Sequence, residues 1–371
     1  MDTADANYSS VYTELYTRCR CGISNVMAFE KLCTMMNDGD NIAKGYYALI
    51  LFVNDLSTLP IDPTKGLKIM KEVLPWLLQQ AEQGNENVNS SNSGDGFNLA
   101  HIWYLLGYCF ASSFGMGIVY HNNSNQFSAT HYLHLASDAD HALGLCALGH
   151  CYLHGAEGLK VDKTRAFKLI SSSANKGYPV AYHFLSMLYS SAAGCVASES
   201  QVLHYAQLAM DQGQTGGMYD LGIYHYNGSK GLPVDVSHAV NHYWEKGAEM
   251  GDVRCIRMIG VCYWYGEGKR KDLEKAFKYL KQAAELDNKR ALMEVAHFYE
   301  TGVGGVRVSL VEAVRYLRRA LVGAGLSKLN RSSASTQLLE VTNMGSYKEE
   351  VRAYMKSVLF EVVRIVVMSI L

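Results

Sequence analysis

Apolar residues recur along the second half of the chain with a helical spacing that is itself repeated. A small residue, an aliphatic residue and an aromatic residue stand four apart, which places all three on one face of a helix. The leading aliphatic residues are Leu148, Leu185, Leu221, Ile259 and Val295. They follow one another at intervals of 36 to 38 residues. Such a fixed period predicts a stack of similar helical units.

Each unit also carries signals for the end of one helix and the start of a second. Glycines that tolerate positive φ follow the first helix in four of the units. They are Gly155, Gly228, Gly266 and Gly302. Residues suited to cap a second helix come after the loop, and they are Asp162, Ser198, Asp235, Asp272 and Ser309. The unit is therefore a helix pair, and neither helix can bury its apolar face until the next pair stacks on it.

The pattern weakens towards the N-terminus. Residues 61–84 match the start of a second helix but run seven residues longer before their closing glycine, and Pro75 inside them predicts a kink. We expect divergent helical repeats over residues 1–98, with a flexible Asn- and Ser-rich loop at 87–98, then a repeat solenoid over 99–325 and capping or docking helices over 326–371. The fold class is an all-α, right-handed α-solenoid of about eight units with an apolar C-terminal helix.

Two stretches carry a resemblance to a known family. The stretches "LGHCYLHGAEGLKVDKTRAF" and "IGVCYWYGEGKRKDLEKAF" resemble the Sel1-like repeat, a relative of the tetratricopeptide repeat. The resemblance covers residues 144–325, although the unit at 181–214 lacks the paired glycines and the Asp, which predicts a reshaped loop. It implies a protein-binding adaptor or scaffold, since members of the family mostly hold larger assemblies together. It does not name a partner.

Composition and the N-terminal sequence indicate the size of the core, the cellular location and the state of the cysteines. The 371 residues are 49% hydrophobic and carry a net charge of −1, enough apolar surface for a large core. The N-terminal residues have no signal-peptide or transit-peptide pattern, so we expect a cytoplasmic location, with the nucleus as an alternative. The nine cysteines fit small apolar helix positions. Disulfides remain an alternative, because some members of the resembled family are secretory.

Signals for catalysis or cofactors are weak. The pair His238 and His242 has the spacing of two ligands on a helix, but no third ligand lies near. The glycines from Gly302 follow a helix and have no Lys-Ser or Lys-Thr after them, so they are turn glycines rather than a phosphate loop. The sequence therefore predicts no catalytic residue, no metal site, no cofactor and no enzyme activity.

The wall formed by the first helices is the predicted binding surface. Positions opposite the leading aliphatic residue carry aromatic, aliphatic and histidine side chains where an exposed surface normally carries charge. These groove residues are His150, His154, His183, Met187, Tyr219, Ile223, Arg257, Val261, Tyr265, Met293 and His297. We expect an extended segment or helix of a partner protein there. Burial of the wall by tight superhelical curvature is the alternative interpretation.

Positive charge is concentrated in the last third of the repeats. A predicted basic patch consists of Lys269, Arg270, Lys271, Lys278, Lys281, Arg315, Arg318 and Arg319. Such a patch could bind an acidic protein, RNA or an anionic membrane. The alternative interpretation is that these residues form the solvated outer face of second helices. The near-neutral net charge argues against nucleic acid as the main ligand. An RNA-binding helical-repeat protein that uses this patch is the alternative function.

The last 14 residues, from Val358 to Leu371, are almost entirely apolar. A helix of this length spans about 21 Å, which is too short to cross a bilayer, so a membrane role is not favoured. An apolar end of a solenoid needs a cover. We therefore expect this segment to fold back on the last repeat, to dock on another subunit or to self-associate with a second copy of the chain. The sequence as a whole predicts a non-catalytic scaffold or adaptor within a larger assembly.

Overall fold

The structure, a computed structural model, describes residues 11–21, 25–52, 62–87, 95–111 and 128–322. Within these ranges the chain forms helices joined by turns and contains no β-strand, which confirms the predicted all-α solenoid class. The C-terminal apolar helix predicted from Val358 to Leu371, and the capping region that contains it, lie outside the described residues. The chain divides into two compact units, Met1–Val234 and Asp235–Leu371.

The first unit contains eleven helices among its described residues, and each packs against the next along the chain. They are α1 (Val11–Cys21), α2 (Asn25–Asn37), α3 (Asn41–Phe52), α4 (Pro63–Asn87), α5 (Asp95–Phe110), α6 (Ala129–Asp138), α7 (Ala142–His154), α8 (Lys163–Asn175), α9 (Pro179–Ser191), α10 (Glu199–Asp211) and α11 (Thr215–Asn227). The predicted long helix is α4, which continues through Pro75. Residues 95–98, predicted as loop, are the first turn of α5.

The described part of the second unit repeats the same arrangement of paired helices. Its described elements are α12 (Val236–His238), a π-helical turn (Ala239–Trp244), α13 (Glu245–Glu249), α14 (Val253–Tyr265), α15 (Leu273–Glu285), α16 (Lys289–Thr301), a 3₁₀ turn (Val303–Gly305) and α17 (Leu310–Val322). Helices α14 and α16 are first helices of their repeats, and α15 and α17 are second helices. Each again contacts its neighbour in sequence.

The predicted helix ends are confirmed. The four glycines after first helices have left-handed φ angles of 66°, 63°, 79° and 71° in chain order. Asp162 accepts a hydrogen bond from the backbone N–H of Arg165 at 2.8 Å, and Asp272 does the same for Lys275 at 3.0 Å. These side chains satisfy backbone donors that a helix start leaves unpaired. Local residues therefore fix where the second helices begin.

The glycine of the Leu-Gly pair lies where two helices cross closely. A Cβ atom on Gly149 would stand 2.7 Å from Ile170 Cγ1, too close for any larger side chain without movement. Ser186 replaces this glycine in the divergent unit, and its hydroxyl donates a hydrogen bond to the carbonyl oxygen of Val202 at 2.9 Å. The reshaped loop of that unit begins at Ala192, which takes the left-handed cap with φ 50°.

One second helix contains a single extra residue. The stretch from Asp235 to Gly251 is one residue longer than the corresponding stretch from Asp162 to Gly177. The structure accommodates the difference as the π-helical turn Ala239–Trp244. A π turn holds more residues than an α turn, so the helix returns to its register after the insertion.

A buried polar cluster joins α3, α5 and the start of α7 inside the first core. The hydroxyl of Tyr46 lies 2.6 Å from His101 Nδ1, and His141 Nε2 lies 3.1 Å from the same nitrogen. The backbone N–H of Gly144 donates to His141 Nδ1, so neutral His141 carries its proton on Nε2 and donates it to His101. Burial lowers the pKa of His101 to about 4 and also lowers the pKa of His141 well below its usual value.

Candidate functional site

The predicted groove residues divide between the two units. The first unit holds His150, His154, His183, Met187, Tyr219 and Ile223, and the second holds Arg257, Val261, Tyr265, Met293 and His297. All lie on first helices, namely α7, α9 and α11 in the first unit and α14 and α16 in the second. We call the surface that they form in each unit its first-helix face.

Histidine and aromatic rings meet on the face of the first unit. The ring of His150 lies 4.5 Å from that of His154 and 5.5 Å from that of Phe184, measured between centroids. Burial, and then the proximity of His154, lowers the pKa of His150. Met187 is 46% exposed on the same face. Histidine, phenylalanine and methionine side chains therefore make up this part of the surface.

His183 reaches the next first helix rather than solvent. Its ring packs against Gly216, where a Cβ atom would lie 2.9 Å from three ring atoms. Its Nδ1 lies 3.2 Å from Asp220 Oδ2, and both side chains are more than four-fifths buried. Neither atom makes a hydrogen bond, so the contact becomes an ion pair only when the imidazole is protonated. The sequence did not indicate Asp220 as a partner.

Arg257 makes a corresponding contact in the second unit. Its guanidinium donates to both carboxylate oxygens of Glu294, with Nε 2.9 Å from Oε2 and Nη2 bonded to Oε1. The Arg257 and Glu294 side chains are 14% and 20% exposed. Burial raises the pKa of Glu294, and the ion pair with Arg257 opposes that rise. Arg257 was expected to be an exposed groove residue, but its charge is already neutralised.

The two contacts follow one rule. Arg257 and Glu294 are 37 residues apart, and His183 and Asp220 have the same separation. In each pair the first residue stands two positions before the leading aliphatic residue of its own unit. Its partner stands one position before the leading aliphatic residue of the following unit. A search of the sequence for opposite charges at this offset would have found both pairs.

Aromatic rings form a shelf at the far end of the face in the second unit. The ring of Trp264 is nearly parallel to that of Tyr265, at 5.8 Å and 8°, and to that of His297, at 5.6 Å and 20°. Tyr265 is 63% exposed. Val261, by contrast, is buried in the second core, which corrects its expected exposure. We call Trp264, Tyr265 and His297 the aromatic shelf; Trp264 is not one of the residues that the repeat pattern predicts for the groove.

Three of the eight predicted patch cations have acidic partners. Lys269 Nζ lies 2.8 Å from Glu245 Oε1, and Arg315 Nη1 lies 3.3 Å from Glu312 Oε2. Arg319 bonds to two carboxylates, Glu285 at 3.0 Å and Asp287 at 2.9 Å. The other five side chains are exposed; they are Arg270, Lys271, Lys278, Lys281 and Arg318. The predicted patch is thus more nearly neutral than its residue count indicates.

Few groups on the described part of the chain are arranged for chemistry. No cluster of three or more His, Cys, Asp or Glu side chains there could hold a metal ion. His238 and His242 stack on each other with centroids 4.9 Å apart. Burial raises the pKa of Cys151 and of Cys262 to about 12, so neither thiol is a ready nucleophile at neutral pH. Within the described ranges no helix is long and apolar enough to cross a bilayer.

Comparison with known proteins gives relatives that share this architecture. The chain is 26% identical over 176 residues to the chitin synthase regulator SKT5 of Saccharomyces cerevisiae, covering 46% of this chain and 25% of that protein. It is 27% identical over 196 residues to the ERAD-associated E3 ubiquitin-protein ligase component HRD3B of Arabidopsis thaliana, covering 50% and 28%. The chain therefore spans about a quarter of the length of these relatives.

A solved structure supports the fold. The crystal structure of a Sel1 repeat protein from Oxalobacter formigenes superposes with a TM-score of 0.55 at 24% identity, over 69% of this chain and 99% of that one. A family model described as Sel1 repeat matches residues 104–141, 142–178, 216–252, 253–288 and 289–321. The matches cover the helix pairs from α5 onwards except the divergent pair α9 and α10, and they leave out α1 to α4. The protein is a member of the Sel1 repeat family.

Proposed function

We propose that this protein is a non-catalytic scaffold that binds other proteins on its first-helix faces, as a subunit or adaptor of a larger assembly. The observation that carries the proposal is the exposure of large apolar and aromatic side chains on these faces. Met187 is 46% exposed and Tyr265 is 63% exposed. Aromatic and Met side chains are enriched in protein interfaces, whereas most exposed surface is richer in charge.

The polar contacts on the same faces support this proposal. Glu294 neutralises Arg257 within the second unit, so a partner would not have to bury these two charges unpaired. Such internal pairing lowers the desolvation cost of covering the face. The two relatives are named as a regulator and as a ligase component, which agrees with a role beside other proteins.

The apolar segment from Val358 to Leu371 is the second binding element of the proposal, on sequence grounds. Its composition has only two charged residues, Glu361 and Arg364. A chain that ends at Tyr347 would remove it while leaving every Sel1 repeat in place. Partners lost on this truncation would be assigned to the segment, and partners retained would be assigned to the repeats.

The test is quantitative affinity purification of the full chain from its native cell. We expect Met187→Glu combined with Tyr265→Glu to reduce at least one stoichiometric partner by about tenfold, because a charge in an interface core is poorly tolerated. His204→Glu combined with Gln282→Glu, on the exposed faces of second helices, is the matched control. Recovery of no stoichiometric partner with the wild-type chain, or of the same set with both double variants, would contradict the proposal.

A further inference from the structure

The first-helix face of the second unit differs in character from one end to the other. Helix α16 presents Arg290, Glu294 and His297 in a line, because residues three and four apart share a helix face. Arg257 and the ring of Trp264, both on α14, contact Glu294 and His297 respectively. The face therefore has a charged end near the start of α16 and the aromatic shelf near the C-terminal end of α16.

The charged end carries an excess positive charge. Arg257 occupies both oxygens of Glu294. Arg290, one turn before Glu294, is exposed and has no ion-pair partner among the described residues. The preceding Lys289 is exposed as well. One carboxylate is therefore shared by two arginines, and a further anionic group would be attracted to Arg290.

The shelf end offers exposed aromatic ring surface. The rings of Tyr265 and His297 each stack beside Trp264 with nearly parallel planes, and Tyr265 is 63% exposed. The His297 side chain is 41% exposed, and its Nδ1 lies 3.8 Å from Glu300 Oε2. Exposed rings of this kind accept an aromatic side chain by offset stacking. The nearby Glu300 carboxylate would repel an anion, so the two ends select different groups.

We propose that this face binds a peptide segment of a partner protein that carries a carboxylate at Arg290 and an aromatic side chain on the shelf. The proposal rests on the scaffold function proposed above and specifies its partner. Seven residues separate Arg290 from His297, which is about 10 Å along a helix. An extended peptide covers that distance in about three residues. The recognised pattern is thus an acidic residue and an aromatic residue about three positions apart.

A peptide fits this face better than single-stranded RNA, which also combines stacking with negative charge. An RNA strand carries a phosphate at every nucleotide. Such a strand would place phosphates along the whole line, including next to Glu300. Among the described residues of this face, the cations without an ion pair, Lys289 and Arg290, lie at one end, which suits a ligand with a single acidic group.

The experiment selects twelve-residue peptides from a random phage-displayed library on the full-length protein. We expect enriched peptides with Asp or Glu about three residues from Trp, Tyr or Phe. In fluorescence polarisation with an enriched synthetic peptide, we expect Tyr265→Ala to weaken binding at least tenfold. Arg290→Glu should weaken it by a similar factor, and replacing the acidic residue of the peptide with Lys should restore binding to the Arg290→Glu variant. Restoration by a charge swap identifies the contact directly.

Gln282→Glu and His204→Ala are the matched controls, since both residues are exposed on second helices, and we expect them to bind the peptide as the wild type does. Enrichment without an acidic residue, or binding that neither face variant changes, would overturn the inference. Tyr265-dependent binding of a twelve-nucleotide oligouridine in place of peptides would overturn it too. If this selection fails while affinity purification still yields partners, the scaffold function stands and only its specificity is wrong.

Discussion

At the scale of single residues, repeat position controls what each side chain can do. Arg257 has the sequence character of an exposed recognition residue, yet its charge is taken up by Glu294 from the following repeat. Met187 and Tyr265, by contrast, stay 46% and 63% exposed. The same holds for glycines, because atoms of the neighbouring repeat determine whether a glycine can be substituted.

Two adjacent glycines provide a test of this point. Gly304 and Gly305 have similar left-handed φ angles of 70° and 77°. A Cβ atom on Gly304 would lie 2.9 Å from the carbonyl oxygen of Leu273 in the preceding repeat, whereas one on Gly305 would meet nothing within 4 Å. Left-handed backbone costs a non-glycine residue about 1–2 kcal/mol, and the close contact adds to this cost only at Gly304.

We expect Gly305→Ala to lower the free energy of unfolding by about 1 kcal/mol from backbone strain alone. Gly304→Ala should lower it by roughly 2 kcal/mol more, because overpacking against backbone adds its own cost. Urea unfolding of both variants measures the difference. Equal destabilisation by the two substitutions would show that the contact between repeats contributes nothing.

At the scale of elements, the second helices show how a repeat absorbs an irregularity. The turn Ala239–Trp244 places Tyr243 four residues after Ala239, whereas Tyr279 comes three residues after Ala276 in α15. Both tyrosines nevertheless follow a fully buried alanine on the inner side of their helix. The insertion is thus confined to one turn, and side chains after it keep their places.

Removal of the extra residue should therefore be tolerated. We expect deletion of the exposed His242 to convert the π turn into a regular α turn and to lower the free energy of unfolding by less than about 1 kcal/mol. Deletion of the exposed Lys278 from α15 should cost several times more, because it rotates every later residue by about 100° and moves Leu280 out of the core. Thermal unfolding, with helix content from circular dichroism, compares the two. Similar losses for both deletions would contradict this account of the π turn.

At the scale of the whole molecule, two hydrophobic cores belong to the two compact units. Only the first core contains the buried pair of His101 and His141. Both histidines are neutral when folded because burial lowers their pKa values. An unfolded histidine takes up a proton below about pH 6.5, so acid favours unfolding of the first unit.

The sign and size of this effect follow from the pKa of His101, which is about 4 in the fold. Its contribution is complete above about pH 6.5 and is lost progressively as the pH falls towards 4, by about 3 kcal/mol in total. Hydrogen exchange with mass spectrometry between pH 7 and pH 5 should show faster opening of α3, α5 and α7, with little change in α14 to α16.

His101→Asn is the variant for this prediction, because its side-chain oxygen can still accept from Tyr46 and His141 without titrating. In the wild type, one titrating histidine should increase the opening equilibrium constant of the first unit about tenfold for each pH unit of acidification. We expect His101→Asn to remove this tenfold dependence. His204→Asn, at an exposed position, should leave the slope unchanged. An unchanged slope in His101→Asn would assign the pH dependence to other groups.

The amino-acid sequence by itself determined the repeat, its period and the ends of its helices. Capping side chains such as Asp162 and helix-ending glycines such as Gly155 act on backbone groups only a few residues away, so their role can be predicted from local sequence. The family resemblance rests on the same residues. The fold class was therefore predictable throughout the recognisable repeats.

Only the tertiary structure decided which residues of the predicted site are available. Val261 is buried, and Arg257 and His183 face acidic residues of the next repeat. Trp264 joins Tyr265 and His297 in one shelf although His297 lies in a different helix. Burial and ion pairing depend on side chains that come together only when successive helix pairs stack. Periodicity specifies the face of a helix, whereas contact across repeats specifies what that face can bind.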